Sequence, residues 1–65
     1  MRDRAYEWKL AWRHERMGFG RTTDVIAQTY VEAIQRGRDT LALHYASRDD
    51  LDQFELVELR RGSLR

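Results

Sequence analysis

Along Tyr6-Glu7-Trp8-Lys9-Leu10-Ala11-Trp12-Arg13-His14, ring-bearing or apolar residues hold the even positions and charged residues hold most of the odd ones. Side chains alternate across a pleated strand, so this period of two predicts a half-buried strand over about residues 5–14. Tyr6, Trp8, Leu10 and Trp12 share one face, and Glu7, Lys9 and Arg13 share the other. Met17-Gly18-Phe19-Gly20 then concentrates two glycines within three residues, the composition of a loop. Thr22 or Thr23 offers an N-cap hydroxyl, and Asp24 a negative charge for the first turn of a helix. Ile26, Ala27, Tyr30, Val31, Ala33 and Ile34 recur at helical spacing, predicting a helix over about residues 23–36 that Gly37 ends.

Leu41, Leu43 and Tyr45 alternate with Ala42, His44 and Ala46, which predicts a second strand over about residues 40–46. The same run suits a second short helix over about residues 39–47, capped by Asp39 or Thr40. A polar turn at Ser47–Asp52 leads to Phe54-Glu55-Leu56-Val57-Glu58-Leu59-Arg60, a last strand over about residues 53–60. Gly62 onward reads as a short tail. The expected fold is a small α+β domain spanning residues 1–65 in the order β-α-β-β. Its sheet is three-stranded and largely antiparallel, with one helix packed on one face. About thirteen residues make a helix of some 20 Å, enough to cover one face and not two. Trp8 and Trp12 are expected beneath it against Tyr30 and Ile34, leaving Glu7, Lys9 and Arg13 on the uncovered face.

A chain of 65 residues buries only about 60% of the surface its unfolded form exposes, so stability should be modest. There is no cysteine to add a disulfide or a thiolate metal site, and His14 and His44 cannot complete a zinc site unaided. Self-association is one remedy for a small core, which makes a homo-oligomer an expectation. The aromatic residues argue for a folded chain although about a third of the residues are charged. No apolar run approaches the ~20 residues that span a bilayer, and Met1-Arg2-Asp3-Arg4 leads into the first strand without a signal-peptide core. The expected compartment is the cytoplasm, with no membrane partner. The basic residues are eleven Arg and only Lys9, a bias associated with GC-rich bacterial or phage genomes.

Candidate chemistry is sparse. His14 beside Glu15 could do acid–base work in principle. Neither histidine lies in a catalytic motif, however, and Ser47 and Ser63 lack a nucleophile elbow. Gly18-Phe19-Gly20 lacks the spacing of a phosphate-binding loop. Asp49, Asp50 and Asp52 lack the alternate ligands and glycine of a calcium loop. The expectation is a chain without catalytic activity, cofactor or metal.

Charge is uneven along the chain. Residues 1–38 carry eight basic and five acidic residues, residues 39–59 carry one against six, and Arg60, Arg61 and Arg65 follow. The leading reading is a small protein-binding module, an accessory factor of a phage or mobile element that docks onto a larger protein. An open sheet leaves edges or a face for a partner, with Lys9, Arg13, Phe19, Asp49, Asp50 and Asp52 as candidate contacts. The alternative is a nucleic-acid module with Arg13, Arg16, Arg21, Arg36 and Arg38 on phosphates. A net charge of +1 weighs against it, because nonspecific affinity for nucleic acid grows with the number of phosphates neutralised.

Overall fold

The computed structural model describes residues 4–45 and 48–65, apart from the side chains of Arg48 and Asp49. Five elements follow one another: β1 (Tyr6–His14), β2 (Gly20–Ala27), α1 (Tyr30–His44), α2 (Arg48–Asp52) and β3 (Phe54–Leu64). The domain is α+β, and its three strands form one open antiparallel sheet in the order β2-β1-β3.

Among the described residues the aromatic strand is the one that pairs on both sides, which makes it central. β1 turns into β2 through a loop in which Gly18 adopts φ +79°, a left-handed conformation that a residue without Cβ takes at little cost. The Gly18 amide donates to the His14 carbonyl at 2.7 Å, and the His14 amide to the Phe19 carbonyl at 2.8 Å, closing the hairpin. From β2 the chain crosses the inner face of the sheet through α1 and α2 and returns as β3 on the far side of β1. Trp8, Leu10 and Trp12 point inward as the alternation requires, joined in the core by Ala27, Ala33, Leu41 and Phe54. Burial of the two indoles leaves no donor unpaired: Trp8 Nε1 reaches the Ala27 carbonyl at 2.8 Å, and Trp12 Nε1 reaches Thr23 Oγ1 at 2.9 Å.

Several local assignments differ from the sequence expectation. Residues 20–27 form the second strand, so the order is β-β-α-α-β rather than β-α-β-β. The helix begins at Tyr30, capped by Thr29, whose hydroxyl accepts from the Glu32 amide at 3.2 Å while the Glu32 carboxylate accepts from the Gln28 amide at 3.1 Å. That reciprocal bonding is a close variant of the capping box and outcompetes the Thr23 alternative. Gly37 does not stop the helix but lies buried in its middle. A Cβ there would sit 3.1 Å from Leu10, Trp12 and Thr23 side-chain atoms, so its absence is what lets α1 approach the sheet. Leu41 and Leu43 stay helical, since Ala33, Gly37 and Leu41 form an i, i+4 stripe onto the core. The expected strand over 40–46 is thus absent through His44, with Ala46 and Ser47 outside the described residues. The turn at 48–52 is the short helix α2, and the expected tail belongs to β3 up to Leu64. Ile34 packs against the core as expected, whereas Tyr30, at the first turn, is 59% exposed.

Candidate functional site

Residues paired across an antiparallel ladder share a face, so the register maps both surfaces of the sheet. On the outer face, away from α1, Lys9 lies between Asp24 and Arg60, Ala11 between Thr22 and Glu58, and Arg13 between Gly20 and Glu55. Arg13 and Glu55 form an ion pair at 2.6 Å, and Arg65 reaches Glu7 at 2.9 Å. An open depression of about 950 Å³ at the Glu7–Lys9 end is not confined to this face: its walls include Asp24 and Arg60 from the sheet and Arg36 and Asp39 from α1. Both signs alternate along this face, and the charges are answered by neighbouring strands rather than aimed at one point.

The hairpin end of the inner face is built from rings. His14, 3% exposed, accepts from the Met17 amide at Nδ1 (3.1 Å), stacks on Phe19 at 4.9 Å and meets Phe54 edge-on at 5.1 Å. Phe19 packs in turn against Tyr45 and Phe54, with the Arg21 guanidinium 4.7 Å above its ring. Arg21 also donates to the Tyr45 hydroxyl at 2.7 Å, so the cation closes the cluster. His14 is a packed core side chain here, and Phe19 is a wall of the same cluster.

The six candidate protein contacts do not converge. Lys9 and Arg13 lie on the outer face, Phe19 packs at the inner hairpin end, and Asp50 and Asp52 belong to α2, where Asp52 faces Arg38 at 3.4 Å. The side chain of Asp49 lies outside the described residues. The five candidate phosphate contacts are also dispersed: Arg13 is paired with Glu55, Arg21 with its rings, Arg36 with Glu32, and Arg38 with Asp52. Arg16 is exposed in the hairpin turn.

What the tertiary arrangement adds is a contrast between the two sheet edges. α1 packs chiefly on β2, and at the end of that strand the Arg36 guanidinium bonds the Ile26 carbonyl and the Trp8 indole bonds the Ala27 carbonyl. The β3 edge runs eleven residues and, among the described residues, pairs with no further strand. Leu56 and Leu59 are only partly covered on its inner face, and Val57 and Leu64 are about half exposed. The signal available in the sequence was the order Glu55-Leu56-Val57-Glu58-Leu59-Arg60-Arg61, in which alternation and a reversal of charge occur in one strand. Comparison with protein-family models, curated proteins and solved structures finds no match.

Proposed function

We propose that this chain is a small noncatalytic protein-binding module, an accessory factor of the kind a phage or mobile element uses to dock onto and modulate a larger protein, and that it engages through the β3 edge. The observation that carries the reading is the unequal cover of the two edge strands, β2 lying under α1 and β3 running eleven residues with β1 and α2 as its principal neighbours. An open edge presents a row of backbone donors and acceptors, and strand addition satisfies them while side-chain pockets supply selectivity. Leu56, Leu59 and Leu64 on the inner face offer the apolar component, and the alternating charges of the outer face set the register. The dispersal of Arg13, Arg21, Arg36 and Arg38, each already engaged by an acid or a ring, favours this reading over phosphate binding.

Affinity capture from the native host tests it, with wild type compared against Val57→Pro and Arg16→Ala. Proline on an edge strand removes a donor and projects its ring outward. Capture of one identified protein that Val57→Pro loses and Arg16→Ala retains is the expected result, provided circular dichroism shows Val57→Pro folded. Retention by both variants overturns the β3 assignment. Recovery of nucleic acid that survives a salt wash and is lost with Arg16→Ala overturns the protein-binding reading.

A further inference from the structure

We infer that, when no larger protein occupies it, the β3 edge pairs antiparallel with β3 of a second copy, in the register that sets Leu59 opposite Leu59, an inference that rests on β3 being the binding edge. The argument is the order of charge along the strand. Glu55 and Glu58 precede the midpoint, whereas Arg60, Arg61 and Arg65 follow it. Edges are defended by charge, proline or bulges, and the two irregularities of β3 flank Glu58–Arg61 rather than interrupt it. An edge whose sign reverses about its centre is self-complementary when a second copy runs the opposite way.

The register follows from faces and charges. Glu58 and Arg60 both lie on the outer face, opposite Ala11 and Lys9, and they already meet within one chain at 2.9 Å. A two-fold axis at Leu59 sets Glu58 of each copy against Arg60 of the other, giving a ring of four charges of alternating sign. An axis at Glu58 would oppose two glutamates, and an axis at Arg60 two arginines, both destabilising arrangements. The axis also falls in a regular stretch, since Glu58–Arg61 pair consecutively with β1 and the ladder's irregularities lie on either side. On the inner face Leu59 meets Leu59, extending the apolar surface that α1 leaves partly open. Such contacts are isologous, so one surface serves both partners and the assembly closes at two. The result is one continuous sheet, β2-β1-β3-β3-β1-β2, with the two copies of α1 on the same side and the β2 strands outermost.

Charge reversal reads the register directly. Sedimentation of the full chain from micromolar to near-millimolar concentration should show a monomer–dimer equilibrium. Glu58→Arg opposes arginines across the axis and Arg60→Glu opposes glutamates, so either change alone should raise the dimer dissociation constant about tenfold or more. Mixed in equal amounts, the two variants should form a heterodimer, because each Arg of one then faces a Glu of the other. Both positions are exposed, and circular dichroism of each single variant checks that it folds. A strictly monomeric wild type overturns the inference, as do single variants that dimerise normally and folded variants that stay monomeric when mixed. Failure here is separable from failure of the binding reading. A monomer whose host protein is still lost with Val57→Pro loses the dimer alone, whereas capture indifferent to Val57→Pro removes the partner assignment.

Discussion

β2 and β3 flank the same central strand with the same antiparallel geometry, yet α1 covers one and leaves the other largely uncovered. β2 is eight residues long, lies beneath α1 and has carbonyls at Ile26 and Ala27 bonded by Arg36 and Trp8. β3 is eleven residues long, with surroundings limited to β1 and the short α2 among its principal contacts. α1 packs chiefly on β2 and to a lesser degree on β1, so β3 is the strand it leaves uncovered. The strand left over is where charge order, rather than burial, specifies behaviour.

The largest expected effect breaks the covered side. Trp12→Ala removes an indole that is 3% exposed and bonded to Thr23, and should cost about 3–5 kcal/mol, a large part of the stability of so small a domain. Leu59→Ala, on the half-covered strand, should cost about 1–2 kcal/mol, since only part of its surface is removed from water. Chemical denaturation of the two variants measures the contrast, and equal losses would show that β3 is as deeply packed as the central strand.

Gly37→Val probes the closest approach of helix to sheet. Added carbons meet Leu10, Trp12 and Thr23 from a Cβ already at 3.1 Å, so overpacking should cost about 1–3 kcal/mol despite the poor helix propensity of glycine. A thermal transition that rises would show that α1 can lift from the sheet without loss. Smaller still, Arg36→Ala should cost about 0.5–1 kcal/mol by releasing the Ile26 carbonyl, while hydrogen exchange speeds along the β2 edge more than along β3. The smallest effect belongs to the outer face. A double-mutant cycle on Arg13 and Glu55 should return about 0.2–1 kcal/mol, weakened by salt, because both side chains are substantially exposed.

The first strand was legible because alternation over nine residues, broken at Ala11, leaves little choice of element, and the alternation also named its buried face. β2 was not. Arg21, Thr23, Val25 and Ala27 share its inner face, a set too polar and too small to display a period of two, and Thr22-Thr23-Asp24 resembles a helix start. The β-branched content of Thr22, Thr23, Val25 and Ile26 was the available hint, and Thr29-x-x-Glu32 was a capping signal of better form. Gly37 read as a stop because glycine commonly ends helices, and the reason it sits inside one depends on three side chains from two other elements. The candidate contacts were chosen by residue type, and type alone did not disclose that Phe19 is enclosed by rings or that Arg38 faces Asp52.

By itself the sequence determined the class of domain, the aromatic strand at its centre and the inward direction of both tryptophans, because periodicity is a local property that a chain carries before it folds. Which segments pair with that strand, where the helix starts and how close it comes were decided by tertiary structure. Those outcomes depend on competition between local signals of similar strength, settled by contacts between residues far apart in the chain. The openness of the β3 edge is of the same kind: its charge order is written in the sequence, but only the placement of α1 over β2 leaves it uncovered.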